Sequence, residues 1–228
     1  MKRLKVSNNV IRRLPRYLRR LDELAAAGVG RISSFDLGQQ LGLTPSQIRQ
    51  DFSCFGEFGQ QGYGYNVTAL RQQIAGILGI DRGFRAILVG VGNIGRALME
   101  NFCFSEWGFH LVAAFDVRDE LIGSEMSGVP ILDMNGLETF LAENKVDVAV
   151  LSVPREAAIH VTRRLTDAGI EAIWNFTNVE LTAPDSDILV ENVHFSDSLL
   201  SLSYYLSERT DEKAARAARA ERLAGRES

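Results

Sequence analysis

Thr44-Pro45-Ser46-Gln47-Ile48-Arg49-Gln50-Asp51-Phe52-Ser53-Cys54-Phe55, followed by Gly56-Glu57-Phe58-Gly59-Gln60-Gln61-Gly62-Tyr63-Gly64-Tyr65, decides the reading of this chain. Threonine caps helices well and proline fits the first helical turn, so the pattern predicts a helix that starts at Thr44-Pro45 and runs to about Phe55. Ile48 and Phe52, one turn apart, face a core, which leaves Ser46, Gln47, Arg49 and Gln50 outward. Glycines 56, 59, 62 and 64, interleaved with aromatics, break the helix into a turn-rich hairpin.

Working outward, Ser34 is expected to cap a short helix through Leu41, stopped by Gly42. Ser7 is expected to cap a longer one, in which Val10, Leu14, Tyr17 or Leu18, Leu21 and Leu24 recur at helical spacing. Pro15 predicts a kink or restart inside it, and residues 28–30 end it. Helix, helix, tight turn, helix, hairpin is the order of a winged helix-turn-helix, assigned to residues 1–82. In such modules the N-terminal residues of the second of the paired helices reach base edges. Arg49 suits guanine or phosphate, and Gln47 and Gln50 suit adenine, with Ser46 beside them. Gln60 and Gln61 at the hairpin tip are placed to enter a minor groove, next to Tyr63. Ser7, Arg12, Arg13 and Arg16 are candidate phosphate contacts.

Charge divides along the same line. The net charge of -4 over 228 residues conceals 12 Lys+Arg against 6 Asp+Glu in residues 1–82, and 13 against 23 in residues 83–228. A basic front on an acidic remainder points to a polyanionic partner at the front. The apolar runs are too short to span a bilayer, and no apolar stretch follows the basic N-terminus, so neither membrane span nor signal peptide is expected. Two cysteines, Cys54 and Cys103, are too few for a disulfide framework. A cytoplasmic location is the expectation, and no metal-ligand spacing occurs.

Asn66 to Ile80 carries Val67, Leu70, Ile74, Ile77 and Leu78 at helical spacing, a connecting helix before a boundary near Asp81-Arg82-Gly83. Strands and helices then alternate. Strands are expected at Ala86–Val89, His110–Phe115, Val129–Leu132, Val146–Val153, Ile170–Phe176 and Ile188–Val193. Helices are expected at Asn93–Phe102, Leu137–Asn144 and Arg155–Ala168. Apolar strands between amphipathic helices predict an α/β domain, a Rossmann-like doubly wound parallel sheet over residues 83–195.

Gly90-Val91-Gly92-Asn93-Ile94-Gly95 follows the first of these strands and opens a helix, the context in which this glycine pattern binds a dinucleotide. The first glycine permits the turn, the second lets backbone approach the pyrophosphate, and the third lets helix and strand pack closely. Asp116, at the end of the next strand, is 21 residues beyond Gly95, where a carboxylate should accept hydrogen bonds from the adenosine ribose. That carboxylate, with Val117 beside it, favours NAD(H) over NADP(H); Arg118 pulls the other way. Ser152-Val153-Pro154 closes a central strand, and Val153 and Pro154 should border the ribose or nicotinamide.

An enzyme of this type needs a proton donor beside the nicotinamide. Of the three histidines, only His194 is placed for it, and little chain remains for a substrate domain. No catalytic residue is assigned, and an NAD-dependent oxidoreductase with a regulatory front end stays the alternative. Ser196–Ser207 is a last helix with Leu199, Leu202 and Leu206 on one face. Residues 208–228, rich in Ala, Arg and Glu, are a polar tail, either helical or disordered.

These residues together resemble the redox-sensing transcriptional repressor Rex family. The resemblance runs from about Ser7 to Leu206. It is carried by Val10-Ile11-Arg12-Arg13-Leu14-Pro15, Thr44 to Arg49, Phe55-Gly56-Glu57-Phe58-Gly59, Gly62-Tyr63-Gly64-Tyr65-Asn66-Val67, Ala113-Ala114-Phe115-Asp116-Val117, Val190-Glu191-Asn192-Val193 and Leu202-Ser203-Tyr204-Tyr205-Leu206. It implies a homodimer that binds a palindromic operator in double-stranded DNA when NADH is low and releases it when NADH rises against NAD+. It further implies that residues 196–207 form a domain-swapped dimerisation helix, with Phe195 inserted near the nicotinamide. The chain departs from the family pattern at Gln60 and Gln61, where two basic residues are usual. It departs again at Gln50 and Cys54, where lysine and tyrosine are usual, and at Asn178, where proline is. Asn101 and His194 stand where the family pairs a tyrosine with an aspartate. Less basic charge on the wing implies a shallower salt dependence of DNA binding.

Overall fold

The computed structural model describes residues 6–224 apart from 57, 59–62 and 183–187, with side chains described to residue 213. The chain divides into two compact units, Met1–Phe84 with Cys103–His110, and Arg85–Phe102 with Leu111–Ser228.

The first unit contains α1 (Asn8–Ala26), β1 (Arg31–Ile32), α2 (Ser34–Leu41), α3 (Pro45–Ser53), β2 (Tyr65–Asn66) and α4 (Val67–Leu78). Each helix is capped by a side chain from its own sequence. Ser7 accepts from the Val10 amide, Ser33 from Asp36, Thr44 from Gln47 and Asn66 from Ala69. The cap of α2 is therefore Ser33, and Ser34, expected in that role, is the first helical residue. α1 passes through Pro15 as one element without a restart. Proline removes the donor that would serve the Ile11 carbonyl, and Ile11 is itself exposed. Buried Leu14, Tyr17 and Leu18 hold the helix on both sides of Pro15. α3 stops at Ser53, short of Phe55, because the amides of Cys54 and Phe55 turn back to the carbonyls of Asp51 and Phe52. β1 pairs antiparallel with β2, Ile32 opposite Tyr65. β1 was not expected, since two residues show no alternation.

The core of this unit joins Leu14, Leu18, Leu21, Leu37, Ile48, Phe52, Val67, Leu70 and Ile74. Phe52 lies at its centre, its ring 5.0 Å from Tyr17, 5.4 Å from Phe58 and 5.2 Å from Tyr65. Losing a buried phenylalanine costs about 3–5 kcal/mol, so this knot fixes the pose of α3 before its outward residues act. The turn between α2 and α3 is tight: a Cβ on Gly38 would lie 2.5 Å from the Leu43 carbonyl oxygen. Residues 103–110 return to this unit, where a 3-10 turn at Phe104–Trp107 packs Trp107 against the core.

The second unit is built on β3 (Phe84–Val89), α5 (Asn93–Asn101), β4 (Phe109–Asp116), β5 (Glu125–Met126), β6 (Val129–Asp133), α6 (Leu137–Glu143), β7 (Val148–Leu151), α7 (Arg155–Asp167), β8 (Ala172–Asn175), β9 (Leu189–Asn192) and α8 (Phe195–Ala224). The strands run β5-β6-β4-β3-β7-β8-β9 across the sheet. Pairs β3–β7, β4–β6, β7–β8 and β8–β9 are parallel, and β5 adds an antiparallel edge to β6. Without that edge the order is that of a dinucleotide-binding doubly wound sheet, which reverses direction between β3 and β7. Ile87, Val89, Ala149 and Leu151 are buried along the two central strands. Such near-continuous apolar strands are what a sheet covered on both faces requires.

Of the two readings left open for the polar tail, helical or disordered, the helical one holds as far as Ala224. α8 is one 30-residue helix, starting at Phe195 and continuing through the polar tail to Ala224. Ala, Arg, Glu and Lys are all good helix formers, so nothing after Ser207 interrupts it.

Candidate functional site

The crevice where strand order reverses is formed by the turns after β3 and β7. Gly90 leaves β3 with φ 96°, and a Cβ there would lie 2.7 Å from the Ser152 carbonyl oxygen. Gly95 is tighter: a Cβ would lie 2.1 Å from the Gly90 carbonyl oxygen and 2.9 Å from Ser152 Oγ. The Ser152 hydroxyl donates to the Gly90 carbonyl at 2.7 Å and ties the two turns together. Val91 and Gly95 are buried, Gly92 is half-buried, and Asn93 and Ile94 are exposed at the start of α5. No side chain caps α5, in contrast to α1–α4. Its first amides are thus presented as an anion-binding end. A backbone turn that admits no Cβ at Gly90 or Gly95, opening on uncapped amides, fits a dinucleotide pyrophosphate. Val153 lies half-buried and Pro154 exposed at the head of α7, on the same crevice.

Asp116, at the end of β4, is 6% exposed. Oδ2 accepts from the Val91 amide at 2.7 Å; Oδ1 accepts from the Val117 and Arg118 amides at 2.9 and 3.0 Å. Arg118 folds onto the same carboxylate, Nε donating at 3.0 Å and Nη2 at 3.1 Å. Burial pushes the Asp116 carboxyl up, but the bonds from Arg118 and from the Val91 and Arg118 amides outweigh it and hold the group below the ordinary range. Sequence placed Asp116 at the ribose; it did not show that Arg118 already covers it. Val117 projects outward, 76% exposed.

At the end of β8 lies a buried polar network. Asn175 is fully buried. Its Nδ2 donates to the Val179 carbonyl and to Asn192 Oδ1, and its Oδ1 accepts from the amide and hydroxyl of Thr177. Phe176 and Phe195 follow, ring centroids 6.3 Å apart, with Phe195 63% exposed. His194 Nε2 lies 2.6 Å from Glu180 Oε2, and Asn101 bonds back to the Ala97 carbonyl, so each has a partner within this unit. Past Phe195, α8 leaves Leu199, Leu200, Leu202, Tyr204, Tyr205 and Leu206 all more than half exposed.

In the first unit Ser46, Arg49 and Gln50 are exposed on α3 and Gln47 is half-buried. Arg49 Nη1 donates to Ser34 Oγ at 3.0 Å. Arg12 and Arg16 are exposed on α1, Arg16 donating to the Leu41 carbonyl at 2.9 Å, and Tyr63 is 71% exposed. Gln60 and Gln61 lie outside the described residues. Arg13 is different: it forms a two-point bond to buried Asp51 of α3, at 2.6 and 2.7 Å. The Tyr17 hydroxyl donates to the same carboxylate at 2.6 Å. Burial, then the bond to Asp51, push the Tyr17 phenol well above its ordinary range. Arg13, expected on phosphate, instead pins α3 to α1. Neither residue's sequence neighbours point to this pair, which spans 38 positions.

A helix-turn-helix joined to a dinucleotide-type sheet defines a class: a transcription regulator with a nucleotide-responsive domain. Comparisons with known proteins narrow it. The family described as "Putative DNA-binding protein N-terminus" matches residues 5–53, and "CoA binding domain" matches residues 81–179. The redox-sensing transcriptional repressor Rex of Clostridium beijerinckii is 51% identical over 203 residues, 89% of this chain and 96% of that protein. The Rex of Thermoanaerobacter pseudethanolicus is 47% identical over 207 residues, 91% of this chain and 92% of that protein. The crystal structure of RSP in complex with beta-NAD+ and operator DNA superimposes with TM-score 0.84 at 45% identity, covering 94% of this chain and 98% of that one. RSP in complex with beta-NADH gives TM-score 0.85 at 43% identity, over 92% of this chain and 98% of that one. The chain belongs to the Rex family of redox-sensing transcriptional repressors.

Proposed function

We propose that this protein represses transcription in response to the NADH/NAD+ ratio, binding a palindromic operator when NADH is low and leaving it when NADH rises. The observation that carries the reading is the glycine cradle on an uncapped α5, in a chain 45% identical to a protein solved with both NAD+ and operator DNA. Gly90, Val91, Gly92, Asn93, Ile94 and Gly95 would hold the pyrophosphate on backbone, with Asp116 and Val117 at the adenosine ribose. Val153, Pro154 and Phe195 would border the nicotinamide end. Ser46, Gln47, Arg49 and Gln50 would read base edges, while Arg12, Arg16, Tyr63 and the Gln60-Gln61 tip would position the duplex. The exposed apolar side chains of α8 favour a second copy as partner, making a homodimer with two recognition helices for two half-sites about 34–36 Å apart or a multiple of that. NADH then needs only to favour the non-binding dimer by about 1–3 kcal/mol.

No catalytic step is assigned, and the protein acts on DNA in the cytoplasm. Nicotinamide supplies redox chemistry elsewhere; here its occupancy is the signal. The test is a gel shift on a duplex that the protein itself selects from a random pool, titrated separately with NADH, NAD+ and coenzyme A. NADH should release the duplex, with NAD+ and coenzyme A far less effective. Release by coenzyme A alone, or NADH turnover with small carbonyls, contradicts the proposal.

A further inference from the structure

Asp116 is the group whose charge would choose between the two nicotinamide dinucleotides, because it would lie against the 2′ position of the adenosine ribose. A bare carboxylate there accepts the ribose hydroxyls and repels a 2′-phosphate. In this chain the carboxylate is already answered. Five donors converge on it: the amides of Val91, Val117 and Arg118, and Nε and Nη2 of Arg118. A carboxylate offers about four lone-pair sites, so no acceptor is left for a ribose hydroxyl while the guanidinium stays.

Arg118 Nη2 also donates to the Val91 carbonyl at 2.6 Å, which places the cation between the glycine turn and the end of β4. The three backbone amides hold the carboxylate whether or not Arg118 is there. The arginine is the movable member, since its side chain is 42% exposed. If it swings off Asp116, three amides remain on about four sites and one acceptor position opens, on Oδ2. Arg118 also remains tethered two residues from the carboxylate as a planar, permanently charged fork, the geometry that binds phosphate at two points.

We infer that Arg118 is a specificity-determining residue of the dinucleotide site: it competes with the ribose diol for Asp116 and, once displaced, receives a 2′-phosphate. The protein therefore accepts NADPH alongside NADH, and its response follows both reduced pools. This rests on the dinucleotide reading above. Its signature is an opposite response of the two ligands to one substitution, since Arg118 hinders one ribose and helps the other.

The experiment is calorimetric titration of the full-length protein and its Arg118→Ala, Arg118→Gln and Arg118→Lys variants with NADH and with NADPH at one fixed salt concentration. Wild type should bind NADPH within about tenfold of NADH, as one charged hydrogen-bond pair would allow. Arg118→Ala and Arg118→Gln should weaken NADPH about tenfold or more while NADH stays equal or tightens, and Arg118→Lys should fall between. Retained NADH binding shows that each variant is folded. Equal changes for both ligands, or none, overturn the inference, as does a wild type that rejects NADPH by more than about a thousandfold. A wild type that binds neither ligand instead removes the dinucleotide reading itself.

Discussion

The two units present their ligands with opposite materials. In the second unit the candidate site is backbone: glycines, uncapped amides and a carboxylate held by three amides, with no room for a side chain at Gly90 or Gly95. In the first unit it is a set of exposed side chains on α1 and α3, standing on a buried aromatic and ionic support. A backbone site fails abruptly when a residue changes, because there is no space. A side-chain site is graded, because one contact is removed at a time. That is why a chain can carry glutamines where its family usually has basic wing residues, yet keep each glycine of the cradle.

The sharpest way to break the contrast is at Gly95. Gly95→Val puts a branched side chain where even a Cβ would lie 2.1 Å from the Gly90 carbonyl oxygen. NADH binding should be lost in calorimetry while the protein still binds duplex, and near-normal NADH affinity would contradict a close-packed cradle. Next is the support under α3. Asp51→Ala leaves Arg13 and the Tyr17 hydroxyl without their acceptor and should cost about 3 kcal/mol in chemical denaturation, with weaker DNA binding and NADH affinity kept. A loss below about 1 kcal/mol would make the pair an ordinary surface bridge.

Smaller and graded effects belong to the wing. Gln60→Lys with Gln61→Arg should steepen the slope of log affinity against log salt by about 2 units, one per phosphate gained. An unchanged slope would mean that the tip does not meet DNA. The smallest expected effect lies far from both sites. Glu138 accepts two bonds from Arg164, which bring its carboxyl from the ordinary 4.5 down to about 2. A carboxyl lowered on folding stabilises fully above pH 4.5 and loses that contribution as pH falls toward 2. The pair is partly exposed, so the contribution is under about 1 kcal/mol. Glu138→Gln should reduce the acid sensitivity of unfolding over that window, and identical pH curves would remove the pair from the account.

What was legible in the sequence follows the same division. Thr44-Pro45, the glycine motif and the apolar strands are local signals, and each appears as an element or turn where the spacing put it. Asp116 falls at the end of β4, where strand and helix lengths put it. Three features were hidden, two of them because they depend on distant or reoriented groups. Arg13 read as a free cation until Asp51, distant in sequence, was placed against it. Arg118 was visible two residues from Asp116, but not its direction. The continuation of α8 past Ser207 was obscured by the absence of an apolar stripe, although its composition favours helix.

The central claim is that one equilibrium links the two units, and linkage makes the effect reciprocal. NADH affinity should therefore be titrated by calorimetry in the absence and presence of saturating selected duplex. The duplex should weaken NADH by the same factor by which NADH weakens the duplex, about 5- to 150-fold. NADH affinity unchanged by the duplex would contradict the account.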